Sequence, residues 1–149
     1  MDKERFTPFV LYIERISKNI KRVADDKMAP YGLRSAHVMC IFQIGKTENG
    51  LSSSELAEAC GVDKAFISRV TAELIEKGHI AKADGTEGKY KIKFQLTDSG
   101  KEIYKEIVNI VMGCIDTVDT HISVQKLEIF YELLSGIDRG IEALVKKEK

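Results

Sequence analysis

A mainly α-helical fold carrying one small β-hairpin is predicted by three features of the chain. Apolar residues recur at three- and four-residue steps along most of its length. Between Ile80 and Leu96 that period gives way to alternation. Just ahead, Leu51–Gly61 and Asp63–Lys77 read as two short helices joined by a tight turn.

The first helix is written by Phe6, Phe9, Val10, Ile13, Ile16, Ile20 and Val23, with Lys18, Lys21 and Arg22 between them. It should end near Met28-Ala-Pro30, because Pro30 disfavours helical geometry at Ala29. A second helix is expected from about Ser35 to Lys46, with Val38, Ile41, Phe42 and Gly45 inward, and Asn49-Gly50 marks a turn.

Ser52-Ser-Ser-Glu55 is a capping box, in which the serine hydroxyl takes the Glu55 N–H and the Glu55 carboxylate reaches back to the Ser52 N–H. Leu56, Ala57 and Cys60 then face inward, and Gly61 closes the helix in the left-handed conformation. Asp63 is the N-cap of the next helix, Lys64 to Lys77, which Gly78 ends.

Ile80 to Ala83 is a short strand, and Asp84-Gly-Thr-Glu-Gly88 forms a hairpin tip. The return strand sets Tyr90, Ile92, Phe94 and Leu96 on one face and Lys89, Lys91, Lys93 and Gln95 on the other. Thr97-Asp98 caps a helix bearing Ile103, Ile107, Ile110, Val111, Cys114, Ile115 and Val118. Ser123 opens the last helix, with Leu127, Phe130, Leu133, Leu134, Ile137, Ile141 and Leu144 at heptad-like spacing.

Helix pair plus hairpin is the build of a winged helix-turn-helix, here about residues 35–100. The helices at about 3–29 and 101–147 make a dimerisation region, and the whole is read as one domain of 149 residues. A helix of about two dozen residues spans roughly 35 Å, more than a small domain covers, so its apolar stripe calls for a second copy of the chain.

Bulk properties exclude several classes. No run of 18 apolar residues exists and Met1-Asp-Lys-Glu-Arg opens no signal-peptide stretch, so the expectation is a soluble cytoplasmic protein without membrane contact. Three cysteines, Cys40, Cys60 and Cys114, lie far apart in the chain without a Cys-x-x-Cys pair, and each is read as buried and structural. His37, His79 and His121 are scattered, no Gly-rich phosphate loop is present, and no nucleophile sits beside a base, so no enzyme and no cofactor are expected. His37 and Cys40 have a chelating spacing, but no second such pair accompanies them and no metal is expected. Net charge is zero, so any basic footprint must come from placement on one face.

Placing Ile67 at the origin of a helical wheel puts Ile67, Val70, Thr71 and Leu74 on one side. Ala65, Ser68, Arg69, Ala72 and Glu76 fall opposite, with Lys64 flanking that face and Phe66 at its edge. Small, hydroxylic and cationic residues suit a helix pressed into a major groove, where Arg69 can reach a guanine edge or a phosphate. Ser53 and Ser54, in the first turn of the preceding helix, are natural phosphate ligands. Lys89 and Lys91 would make the hairpin a cationic wing. The DNA-binding set is thus Ser53, Ser54, Lys64, Ala65, Phe66, Ser68, Arg69, Lys89 and Lys91.

Leu51-Ser-Ser-Ser-Glu-Leu-Ala57, Ile67-Ser-Arg-Val70, Leu74-Ile-Glu-Lys-Gly78 and Leu96-Thr-Asp-Ser-Gly100 together resemble the MarR family of transcriptional regulators over nearly the whole chain. The resemblance implies a homodimer with interleaved terminal helices, binding a near-palindromic operator in double-stranded DNA. It also implies release by small amphipathic molecules, thiol oxidation or metals. The family's effector cleft would fall here near Tyr12, Arg15, His37, Cys40 and Tyr104, with Tyr31 close by. The chain departs from the pattern at Thr86, where the family's wing commonly carries an arginine two residues after an aspartate, here Asp84. Lys89 or Lys91 would have to replace it. Phe66 and Glu73 stand where polar and basic residues are commoner. The expected function is a homodimeric, sequence-specific regulator, a ligand-responsive repressor. The alternative is a winged-helix protein-interaction module without specific DNA binding.

Overall fold

The computed structural model describes residues 3–83, 92–118 and 122–147. Helix α1 (Lys3–Met28) is followed by a single 3₁₀ turn at Ala29–Tyr31, then α2 (Ser35–Gly45), β1 (Leu51–Ser52), α3 (Ser53–Cys60) and α4 (Lys64–Glu76). Strands β2 (Ile80–Lys82) and β3 (Lys93–Leu96) come next, and α5 (Asp98–Val118) and α6 (Val124–Lys147) complete the order. The fold is mainly helical with a small antiparallel sheet, as expected. The hairpin tip, with Lys89 and Lys91, lies outside the described residues.

Each boundary has a local cause. Pro30 sits inside the 3₁₀ turn that ends α1, and Gly32 at φ 65° turns the chain so that Leu33 N–H donates to Met28 O at 3.1 Å. Met28 and Leu33 are buried there. The capping box is formed, with Ser52 N–H donating to Glu55 Oε2 at 2.8 Å and Glu55 N–H to Ser52 Oγ at 3.4 Å. Thr97 serves twice: its Oγ1 accepts from Gly100 N–H at 3.1 Å and donates to Gly78 O at 2.6 Å, tying the start of α5 to the end of α4.

The sheet has a third strand that the sequence did not reveal. Its order is β1-β3-β2, with Leu51 opposite Phe94 and Ile80 opposite Leu96. Gly50 makes β1 possible: at φ +67°, a Cβ there would stand 2.3 Å from Phe94 O.

Ile41, Ile44, Leu56, Ile67, Leu74, Ile80 and Ile107 are almost fully buried, so α2 to α5 and the sheet share one core. The chain divides into two compact units, Met1–Val111 and Met112–Lys149, with the division inside α5. In the first, α1 leaves Leu11, Ile16 and Ile20 more than half exposed. In the second, Leu133 and Leu144 of α6 are each 63% exposed. Cys114, expected to be buried, is exposed, and so are Val111 and Ile115 on the same helix.

Candidate nucleic-acid interface

The joint between α3 and α4 is made by backbone alone. Gly61 takes φ 64°, its N–H donates to Glu58 O at 3.1 Å, and Val62 N–H donates to Ala57 O at 3.0 Å. Two residues later the Asp63 carboxylate accepts Phe66 N–H at 2.7 Å and starts α4.

The two sides of α4 differ sharply. Ile67, Val70, Thr71 and Leu74 are no more than 4% exposed. Thr71 lies among them without a polar conflict, because its hydroxyl donates to Ile67 O at 2.9 Å. Lys64, Ala65, Ser68, Arg69 and Ala72 are all exposed, and Phe66 is half-buried against the core. Ser53 and Ser54 are half-buried in the first turn of α3. The structure therefore gathers Lys64, Ala65, Ser68 and Arg69 on one solvent-facing side of α4.

Glu73, one of two acids on this helix, does not stand free. Its Oε2 accepts from Arg34 Nη2 and from His37 Nε2, each at 2.8 Å. These two bonds hold the carboxyl below the usual carboxylate range, the imidazole bond contributing most. His37 is 1% exposed, and its Nδ1 accepts the Arg34 N–H at 3.0 Å. That bond leaves Nδ1 without a proton and makes Nε2–H the donor to Glu73. Arg34 carried no functional reading in the sequence, and Glu73 stood out only as an acid at a position where basic residues are commoner. That acid, on the helix expected to read DNA, was the one available signal.

The residues read as an effector cleft are dispersed within the chain. Tyr12 and Arg15 come together on α1, with the guanidinium carbon 5.1 Å from the ring centroid. They line an open depression with Thr7, Pro8 and Leu11, which touches none of His37, Cys40 or Tyr104. His37 and Cys40 lie in the core, at 1% and 0% exposure. Tyr104 packs its ring 6.0 Å from that of Phe42 and covers Gly45. Tyr31, the last residue of the 3₁₀ turn, is exposed.

Cys40 is buried, as expected, and Cys60 is half-buried. Cys40 and Cys60, distant in sequence, neighbour each other where α2 packs on α3. The neighbouring Cys60, together with burial, pushes the Cys40 thiol well up, while Cys40 draws Cys60 below the ordinary thiol value.

Capped helix pair, third strand and exposed reading face define a winged helix-turn-helix protein. Residues 31–89 match the model of the MarR family. A curated relative, the HTH-type transcriptional regulator BilQ of Clostridioides difficile (strain CD3), is 26% identical over 136 residues, covering 89% of this chain and 88% of its own. The S. aureus MepR–DNA complex superposes with a TM-score of 0.78 at 17% identity, over 89% of this chain and 97% of that one. A staphylococcus aureus MarR in complex with salicylate and kanamycin gives 0.76 at 16% identity, over 95% of each chain. The chain is thus similar to MarR family transcriptional regulators in its central segment and in its fold, as its motifs suggested.

Proposed function

We propose that the protein is a homodimeric, sequence-specific DNA-binding repressor whose α4 enters the major groove. The observation that carries this reading is the division of α4. Its apolar side is consumed by the core, while Ala65, Ser68 and Arg69 remain in water with no bulky aliphatic residue among them. Lys64 and Arg69 supply cations, and the pairing of Glu73 with Arg34 offsets the acid beside them. Ser53 and Ser54 at the start of α3 suit phosphate binding. Lys89 and Lys91 of the wing would extend the contact along the duplex.

Two-fold pairing is supported by the apolar residues that one chain leaves exposed on α1 and α6. Release by a small amphipathic effector is part of the same reading. Within one chain Tyr12 and Arg15 form an open depression, so a closed cleft would need the second copy. Ligands reaching His37, Cys40 or Tyr104 would act by prising α2 from its neighbours.

Selection of bound sequences from random duplex DNA tests the assignment. The expected product is an inverted repeat with half-site centres about ten base pairs apart. Affinity for it should fall steeply with added salt as phosphate counterions are released. Arg69→Ala should weaken operator binding by at least about 1 kcal/mol per lost contact. No sequence preference at all would favour the interaction module, a reading to which the zero net charge lends weight.

A further inference from the structure

We infer that Glu73 is a positioning residue for the reading face of α4, fastening that helix to the first turn of α2 through the buried imidazole of His37. It rests on the proposed reading of α4 and adds how that helix is aimed. Glu73 follows Arg69 by one helical turn, so whatever holds Glu73 sets the rotation of α4 about its own axis. Ile67, Val70 and Leu74 bury the apolar side without a directional bond, and the hydrogen bonds at Glu73 add one to that packing. A slip of about 20° moves a side-chain tip by roughly 2 Å, enough to break a hydrogen bond to a base edge.

The latch is directional at every joint. Arg34 N–H occupies His37 Nδ1 at 3.0 Å and so fixes the tautomer. The remaining Nε2–H, buried with the ring, has Glu73 Oε2 at 2.8 Å as its acceptor. Arg34 Nη2 meets the same oxygen at 2.8 Å and neutralises a carboxylate that would otherwise repel a duplex. The turn of α2 that carries the latch is itself held to α1, where Asp25 Oδ1 accepts Ser35 N–H at 2.6 Å. An exposed Arg–Glu pair alone would contribute little, so the imidazole bond is the decisive part.

The test compares Glu73→Gln, Glu73→Ala and Glu73→Asp in the full chain, using the duplex selected by the parent and an unrelated duplex of equal length. Glutamine keeps an oxygen for Nε2–H, and its preference for the selected duplex should stay within about threefold of the parent. Alanine leaves the imidazole donor unpaired, and aspartate keeps the charge but falls short by one methylene. Both should lose about tenfold in preference while binding the unrelated duplex as before. Imidazole ¹⁵N spectra should show a slowly exchanging Nε2–H on His37 in the parent and Glu73→Gln only. Tighter binding by Glu73→Ala would overturn the inference, since Glu73 would then be a mere repulsive charge. Parent-like discrimination in Glu73→Asp, or equal losses in Glu73→Gln and Glu73→Ala, would overturn it as well. Should Glu73→Ala fail to fold, the Gln and Asp variants still decide. If the parent itself selects no sequence, the DNA reading fails before any variant is made. The latch is then judged by Nε2–H exchange and by α4 amide exchange in the same proteins.

Discussion

His79 illustrates how a single side chain couples the fold to pH. Burial favours its neutral form and lowers its proton affinity below the usual value of 6.5, with Lys77 adding to the effect. The unfolded chain therefore binds that proton more readily. The resulting stabilisation is complete above about pH 6.5 and is lost as the pH falls through the lower folded value. Asp25 and Glu73, both held below their usual carboxylate values by hydrogen bonds, contribute above those values and lose that contribution on further acidification. Urea unfolding between about pH 8 and pH 2 should thus show stability declining in two stages, with His79→Gln abolishing only the first. Tyr104 sets a steric test at the same scale. A Cβ on Gly45 would stand 2.3 Å from the Tyr104 ring, so Gly45→Ala should destabilise by about 1–3 kcal/mol in chemical denaturation. Neither effect was legible in the sequence, because His79 and Tyr104 acquire their surroundings only when distant segments pack. Cys40 and Cys60 make the same point, since spacing along the chain hides the packing of α2 on α3.

Helices and caps were far more legible than these contacts. Ser52, Glu55, Gly61, Asp63 and Gly78 act through neighbours within a few residues, and each stands in its expected role. Ser52→Ala should cost about 1 kcal/mol in thermal or chemical unfolding, since it removes the acceptor for Glu55 N–H at the start of α3. Strand β1 escaped notice because it is two residues long and runs into that cap, leaving no alternation to detect. Its partner β3 lies more than forty positions away, and Asn49-Gly50 read only as a turn. The outward side of α4 could be listed from its wheel, but the latch at Glu73 could not. Its two donors come from α2, and a helical wheel holds only one helix.

For the molecule as a whole, the exposed apolar side chains of α1 and α6 carry the expectation of a two-fold partner. Ile16 is 53% exposed on α1 and Leu133 is 63% exposed on α6. If a second copy covers them, sedimentation should report a dimer, and Ile16→Glu with Leu133→Glu should shift it to monomer. Operator affinity should fall with it, since two half-sites need two linked reading helices. Retention of a dimer by that double variant would move the interface elsewhere.

Gly61 stands in open space, with nothing within 4 Å of where a Cβ would be. Only chirality bars a side chain there: an L-residue is strained at φ +64°, whereas its mirror image is at ease. Semisynthetic insertion of D-alanine should therefore raise the melting temperature, while L-alanine lowers it. The elbow between the two helices is in that sense portable, carried by stereochemistry instead of by surroundings.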